Sequence, residues 1–269
     1  MKIGIGSYTY TWAIGVPDYK TENPMSAFGL MKKAAELEAQ VVQFADNMPL
    51  HIYSHKKLDK ILSFANDRKL QIEVGTKGLL AENLERYIHI TKVMNSDILR
   101  MVIDDKNYTP SLEQIVKIIR PFVPQLESYG IKLAIENHDR LKCWEFVHII
   151  NMCNSPNVGI CLDTVNSLGV PEGMEQVIND LLPYTVNLHI KDFQIERLDH
   201  KMGFKVEGTP AGQGKLNIPL LLNKLESLKK CNSAILELWT PFDSDIISTI
   251  AREEVWAVES MNFLKQLSN

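Results

Sequence analysis

Short apolar segments alternate with amphipathic segments along the whole chain. Eight runs of four to six residues are rich in Val, Ile and Leu, and most are bounded by Gly, Asn or Asp. This pattern is typical of buried parallel strands. The predicted strands are Ile3–Ser7, Val41–Ala45, Gln71–Gly75, Ile98–Ile103, Lys132–Glu136, Val158–Asp163, Val186–Ile190 and Ala234–Leu238.

The segments between these runs carry apolar residues at helical spacing, for example Phe28, Met31 and Ala35. The helices whose bounds the pattern predicts are Ser26–Glu38, Leu112–Tyr129, Cys143–Cys153, Ile218–Leu228 and Asp245–Leu267. Ser111 is the expected N-cap of the second of these helices, and Gly130 is its expected C-terminal stop.

A regular alternation of strand and helix predicts a parallel sheet with helices packed outside it. Eight strand-helix units in 269 residues are about 34 residues each, and eight is the number that closes a (β/α)8 TIM barrel. The alternative is an open doubly wound sheet, but its G-x-G-x-x-G fingerprint is missing, because Gly4 and Gly6 lie inside the first strand. No linker or change of composition marks a second domain. We therefore predict an α/β protein with a single TIM barrel domain over residues 1–269.

Composition and charge limit the classes of partner that the protein is expected to bind. The 29 basic and 33 acidic residues give a formal net charge of -4, which offers no basic stripe for a nucleic acid. No apolar stretch approaches the ~18 residues that span a bilayer, and the N-terminal apolar run ends at Ser7. The four cysteines form no C-x-x-C pair. These features predict a cytoplasmic protein without a membrane or nucleic-acid partner.

Four ionisable residues directly follow apolar runs at predicted strand ends: Glu136, Asp163, His189 and Glu237. In a barrel such strand ends converge on one mouth. Taken alone, Asp163 is equally typical of a helix cap, and His189 is more typical of a hydrogen-bonded core histidine. Together, three carboxylates and an imidazole predict a divalent cation site, because the buried like charges repel one another without one. Mn²⁺ is the first choice, with Mg²⁺, Co²⁺ and Zn²⁺ as alternatives.

The motifs Ile-Glu136-Asn-His138, Leu-Asp163-Thr-Val-Asn166, Leu-His189-Ile-Lys-Asp192 and Leu-Glu237 resemble those of the xylose isomerase-like TIM barrels. This family includes sugar isomerases and epimerases, hydroxypyruvate isomerase, inositol-catabolism enzymes and endonuclease-four-type repair enzymes. The resemblance covers essentially the whole chain. It implies that Glu136, Asp163, His189 and Glu237 are metal ligands and that Asn166 touches the substrate. The ketose 3-epimerase branch usually has histidine at the position of Asn166, which weakens assignment to that branch.

The resemblance also implies a mechanism, in which a metal ion stabilises an enediolate while Glu136 and Glu237 move the proton next to the carbonyl. The alternative role of these two glutamates is metal ligation without proton transfer.

Further residues bear on the substrate. Lys77, Arg100, His138 and Lys191 are candidate binding residues, and Arg140 follows Glu136 with the same parity as His138. Each is individually typical of a surface charge or an ion pair, but together at the mouth they predict an anionic sugar acid or sugar phosphate. The aromatic residues Tyr8, Tyr10, Trp12 and Trp239 are core residues or an apolar wall against a sugar.

The segment from Phe193 to Asn217 is predicted as a long loop of the kind that forms lids. Its Gly212-Gln-Gly214 pair resembles a glycine pair of the family and lacks the remaining residues of a phosphate fingerprint.

The leading functional hypothesis is a metal-dependent isomerase or epimerase of a small sugar, keto sugar or sugar acid. The second is a metal-dependent lyase that decarboxylates a 3-oxo sugar acid, of the 3-oxo-isoapionate decarboxylase type, which the stretch Asn47–Leu50 resembles. An endonuclease-four-type phosphodiesterase ranks below both, because the ends of the second and third strands carry no histidine. A non-catalytic binding protein is the last alternative, and the complete set of four ligands argues against it. The expected partner is a small carbohydrate, and a homo-oligomer is left open.

Overall fold

A computed structural model describes residues 1–19, 21–170 and 172–267. Within these residues eight parallel strands close a barrel in the order β1-β10-β7-β6-β5-β4-β3-β2. The barrel strands are β1 Lys2–Gly6, β2 Val41–Phe44, β3 Gln71–Lys77, β4 Ile98–Val102, β5 Lys132–Glu136, β6 Val158–Asp163, β7 Thr185–Ile190 and β10 Ser233–Leu236. The predicted TIM barrel is confirmed.

Helices follow the barrel strands and cover the barrel's outer face. They are α1 Thr11–Ile14, α2 Ala27–Glu36, α3 His55–Asp67, α4 Ala81–Val93, α5 Leu112–Ile119, α6 Val123–Tyr129, α7 Cys143–Cys153, α8 Met174–Leu181, α9 Ile218–Leu228 and α10 Ile246–Leu267. No helix bounds were predicted for α3, α4 and α8, which complete the alternation. None of the described helices is long and apolar enough to cross a membrane.

The single helix predicted over Leu112–Tyr129 is wrong, because α5 and α6 are separated by a short 3-10 turn at Arg120–Phe122. Pro121 lies in this turn, and its ring and missing N–H prevent a continuous helix. The predicted ends are confirmed. Ser111 Oγ accepts the Gln114 N–H, and Gly130 takes a left-handed φ of 66°.

The region predicted as a long loop contains an antiparallel hairpin, formed by β8 Asp192–Arg197 and β9 Phe204–Thr209. The alternation of Phe193 and Ile195 with polar residues is a strand pattern, and the loop prediction overlooked it. The lid role remains a prediction.

The Gly212-Gln-Gly214 turn binds a carboxylate of the chain itself. The Gly212 and Gly214 N–H groups each donate to Asp192 Oδ2 at 2.9 Å, and the Leu216 N–H donates to Asp192 Oδ1 at 3.1 Å. A Cβ atom at Gly214 would lie 2.2 Å from Asp192 Oδ1. Glycine is therefore required here for close approach, and the turn fixes the base of the hairpin.

Strand register brings the predicted site residues to one end of the barrel. Asp163 on β6 pairs with His189 on β7, and His189 pairs with Ile235 on β10, two residues before Glu237. Glu136 on β5 pairs with Cys161 on β6. Because the strands are parallel, their carboxyl ends place these side chains around a common centre.

Candidate active site

Asp163, His189 and Glu237 form a fully buried cluster at the mouth of the barrel. One ligand atom from each lies within 4.8 Å of the others, and Glu136, Cys161 and His189 form a second such group. His189 Nδ1 is 3.2 Å from Glu237 Oε1, 3.3 Å from Glu136 Oε2 and 3.9 Å from Asp163 Oδ2. The carboxylates of Glu136, Asp163 and Glu237 therefore surround one ring nitrogen of His189, so the four residues predicted as metal ligands lie together.

The imidazole of His189 turns Nδ1 toward these carboxylates and Nε2 away from them. Its Nε2 lies 2.8 Å from the carbonyl Oε1 of Gln43, which only accepts, so Nε2 carries the proton. Nδ1 and Glu237 Oε1 are buried and have no hydrogen-bond donor, and among the described residues Asp163 Oδ2 and Glu237 Oε2 are approached only by the ammonium group of Lys191. Buried acceptors without a donor are costly. A divalent cation satisfies all of them, so the residues present fit a metal ion.

Two buried cations only partly balance the charge of the cluster. Lys191 Nζ lies 2.8 Å from Asp163 Oδ2 and 2.8 Å from Glu237 Oε2. Burial lowers the pKa of Lys191, but the two carboxylates outweigh burial and raise it above its usual range. Arg100 pairs with both Glu136 and Asp46. The four carboxylates Glu136, Asp163, Glu237 and Asp46 thus face these two buried cations and the half-exposed ammonium group of Lys77, which lies 3.6 Å from Asp46, so an excess of one negative charge remains.

Both oxygens of Glu136 have hydrogen-bond donors. Arg100 Nε donates to Oε2, and Asn166 Nδ2 donates to Oε1 at 2.8 Å. Burial raises the pKa of Glu136, but the positive charges of Arg100 and Lys191 outweigh burial and hold that pKa at about 2. Glu136 is therefore held ionised, and a carboxylate with so low a pKa is a weak base.

Asp46 joins the site although the sequence analysis did not select it. Its Oδ1 accepts from Arg100 Nη1 at 2.7 Å, and its Oδ2 accepts from the Tyr8 hydroxyl at 3.0 Å. Burial and Asp46 together raise the pKa of Tyr8. The available signal was position, because Asp46 follows the second predicted strand directly.

A cavity of about 800 Å³ opens above the cluster. Of the predicted substrate-binding residues, its lining includes Tyr8, Lys77, Arg100, His138, Asn166, Lys191 and Trp239. Lys77 is half-exposed, and its Nζ lies 3.6 Å from Asp46 and 4.0 Å from Asp105.

Two residues raised as neighbours of the site lie elsewhere. Tyr10 is buried in the hydrophobic core, which is the first of the two alternatives given for it. Arg140 pairs with Asp104 at 2.6 Å and does not line the described cavity.

Comparison with known proteins agrees with this architecture. A model of the xylose isomerase-like TIM barrel family matches residues 31–267, and the chain belongs to this family. The chain is 28% identical to a 3-oxo-isoapionate decarboxylase of Pectobacterium atrosepticum, over 98% of this chain and 95% of the relative.

Two solved structures share the fold. A D-psicose 3-epimerase from Clostridium cellulolyticum H10, solved with D-tagatose, has a TM-score of 0.75 and 14% identity, with 99% of each chain covered. A xylose isomerase-like TIM barrel protein from Mycobacterium smegmatis, solved with magnesium, has a TM-score of 0.70 and 14% identity, with 97% of each chain covered.

Proposed function

We propose that the protein is a metal-dependent enzyme that acts on a small carbohydrate through an enolate. Asp163, His189 and Glu237 would hold a divalent cation, with Glu136 beside them. When bound, the cation supplies positive charge next to the oxygen on which negative charge develops. The buried acceptors without donors support this proposal, since they are the atom types that bind Mn²⁺ or Mg²⁺. Mn²⁺ is the proposed ion.

The reaction we propose is decarboxylation of a 3-oxo sugar acid. The observation that carries this choice is that both oxygens of Glu136 are already bound, by Arg100 and by Asn166. Isomerisation needs a base with a free oxygen, and Glu237, the other candidate base, would be held by the cation. Decarboxylation removes no proton from carbon. The bond between the carboxylate carbon and C2 breaks, CO2 leaves, and the electron pair passes to the C3 oxygen as an enolate. C2 then takes up a proton. The likeness to the decarboxylase supports the same choice.

The cavity supplies the remaining contacts for such an acid. Lys77 is half-exposed and has only long ion pairs, at 3.6 and 4.0 Å, so its ammonium group is available to a substrate carboxylate. Tyr8 and Trp239 offer aromatic surfaces to the carbon skeleton. Asn166 lines the same cavity and connects the substrate space to Glu136.

A sugar isomerase or epimerase is the second candidate. Glu136 Oε2 and Glu237 Oε1 both approach His189 Nδ1, at 3.3 and 3.2 Å. Two carboxylates around one centre are what proton removal and return require, provided that Glu136 exchanges its partners on substrate binding.

One experiment separates the two reactions. The protein is loaded with Mn²⁺ and incubated in D2O with a panel of 3-oxo sugar acids and ketoses, and CO2 and the NMR spectrum are followed. We expect CO2 release from a 3-oxo acid, with one deuterium in the product at the former C2. A second variant, Lys77→Met, tests the contact with the substrate carboxylate. It should raise KM for the acid by about tenfold, since a charge-assisted hydrogen bond contributes about 1.5 kcal/mol.

Two results would count against the proposal. Deuterium exchange next to the carbonyl without CO2 would replace decarboxylation by isomerisation. Full activity after exhaustive chelation, with no metal in the protein, would remove the metal from either reaction.

A further inference from the structure

Four polar side chains form a network inside the barrel, on the N-terminal side of His189. They are Gln43 on β2, Glu73 on β3, Asn187 on β7 and Ser233 on β10, and all four are buried. We refer to these residues as the floor network. Glu73 Oε1 accepts from the Ser233 hydroxyl at 2.5 Å, and Glu73 Oε2 accepts from Gln43 Nε2 and Asn187 Nδ2, each at 3.0 Å. The carboxylate is thus bound entirely by neutral donors.

The network fixes the orientation of the Gln43 amide. Its Nε2 lies 3.0 Å from Glu73 Oε2 and 3.1 Å from Asn187 Oδ1, and both are acceptors. The reversed amide would place the Gln43 carbonyl against these two oxygens. The amide must therefore point its NH2 group at Glu73, which turns its carbonyl toward His189.

The carbonyl of Gln43 in turn fixes the tautomer of His189. Gln43 Oε1 lies 2.8 Å from His189 Nε2 and can only accept, so the ring proton lies on Nε2. In the neutral ring, Nδ1 is then the nitrogen whose lone pair points toward Asp163 Oδ2 and Glu237 Oε1. An imidazole binds a metal through such a lone pair, and the group bonded to its other nitrogen sets the tautomer.

We infer that Glu73 is a positioning residue, which sets the tautomer of His189 through Gln43 and so raises the affinity of the site for a divalent cation. Glu73 touches neither His189 nor the cavity above it. The inference does not depend on the protonation state of Glu73, because Oε2 accepts from two amides and so carries no proton. It rests on the metal-binding part of the proposed function and not on the reaction.

The test is Glu73→Gln, which keeps the size of the side chain. The new amide can turn its NH2 group toward Gln43, which permits the Gln43 amide to reverse. In the metal-free protein, at a pH at which the ring is neutral, ¹⁵N NMR of the histidine rings should show His189 with its proton on Nε2 in the wild type and a mixture of tautomers in the variant. A His189→Asn spectrum identifies the signal. Calorimetry with Mn²⁺ alone should show affinity reduced by about 10- to 100-fold, the usual effect of losing a group that orients a ligand.

Two further variants complete the design. Gln43→Met removes the oxygen that accepts from His189 Nε2 but leaves Glu73 bonded to Asn187 and Ser233. It should also weaken Mn²⁺ binding. If Glu73→Gln does not fold, this variant tests the inference in its place. The matched control is Glu172→Gln, because Glu172 is a buried carboxylate that accepts the Cys143 N–H away from His189. It should keep the wild-type tautomer and affinity.

Wild-type tautomer and affinity in both Glu73→Gln and Gln43→Met would overturn the inference. The tautomer is read without metal or substrate, so failure to find any reaction leaves this test intact. A wild-type protein that binds no Mn²⁺ would contradict the proposed function and the affinity half of the inference together.

Discussion

The floor network and the mouth of the barrel are both buried, both polar and built on the same strands, yet they differ in hydrogen bonding. No side-chain atom of Gln43, Glu73, Asn187 or Ser233 is without a partner, whereas His189 Nδ1 and Glu237 Oε1 lack a donor, and Asp163 Oδ2 and Glu237 Oε2 share the single ammonium group of Lys191. Burial of charge alone therefore does not define a site in this barrel. Unsatisfied acceptors that point at one centre do, because they are costly unless a ligand binds them.

The largest expected effect is the loss of function when the mouth is altered. Glu237→Gln removes a negative charge from the centre, so we expect Mn²⁺ affinity to fall by more than about 100-fold, beyond the usual effect of a supporting residue. Turnover should fall by about 10³-fold. The free energy of unfolding of the metal-free variant should stay within about 2 kcal/mol of wild type, because loss of the Glu237–Lys191 ion pair is offset by relief of the repulsion among the buried carboxylates.

Calorimetry, an initial-rate assay and urea unfolding with chelator check these values. The exposed Glu259 supplies the control Glu259→Gln, which should change none of them. Full metal affinity in Glu237→Gln would contradict the assignment of the mouth as the metal site.

The opposite result is expected at the floor. Glu73→Leu leaves three buried donor groups, of Gln43, Asn187 and Ser233, without their shared acceptor. Buried donors without partners cost about 1–3 kcal/mol each, and their remaining contacts offset part of this, so we expect a loss of about 3 kcal/mol in the free energy of unfolding. Urea unfolding of the metal-free protein measures it. A loss below about 1 kcal/mol would show that the network does not support the fold.

Glu253 on α10 is a buried carboxylate outside both regions, and the pH dependence of stability that it causes extends the comparison. Its oxygens accept the N–H groups of Trp12 and Ala13 at 2.9 and 3.0 Å, which fixes the short helix that carries Trp12 into the wall of the cavity. Burial raises the pKa of Glu253 to about 8. The folded state therefore retains this proton after the unfolded state has lost its own, so Glu253 reduces stability as the pH rises from about 4.5 to about 8.

Urea unfolding at pH 5, 6.5 and 8 tests this sign. Across that range the wild type should lose about 2 kcal/mol that Glu253→Gln does not lose, a conservative share of the full pKa difference. The exposed-site variant Glu259→Gln should follow the wild type. Identical slopes for Glu253→Gln and the wild type would mean that Glu253 ionises normally.

The sequence was informative where a single strand carries the signal. Asp163 and His189 directly follow apolar runs, and the barrel alone makes such strand ends converge. The role of Gln43 and Glu73 depends on the register of β2 against β3 and on closure of the barrel, which brings in Asn187 from the far side. Such pairings form between distant segments, so no local pattern predicts them.

Two other predictions are wrong although the sequence contains a local signal for the observed structure. Pro121 marks the break between α5 and α6, and the alternation around Ile195 marks the hairpin. In both cases the prediction followed the pattern of the whole segment and not the shorter pattern within it. The strand ends were located to within one or two residues because apolar runs end sharply at polar residues.

The smallest expected effect comes from an exposed ion pair at the rim. Arg140 contacts Asp104 through two nitrogens, at 2.6 and 2.8 Å, in a geometry as good as that of the buried pairs. Its side chain is 37% exposed, so water screens the pair and Arg140→Gln should cost less than about 1 kcal/mol. Mn²⁺ affinity and KM should be unchanged, because Arg140 does not line the cavity. Urea unfolding, calorimetry and the rate assay measure these. A cost above about 2 kcal/mol would mean that pairing geometry, rather than burial, separates the rim from the mouth and the floor.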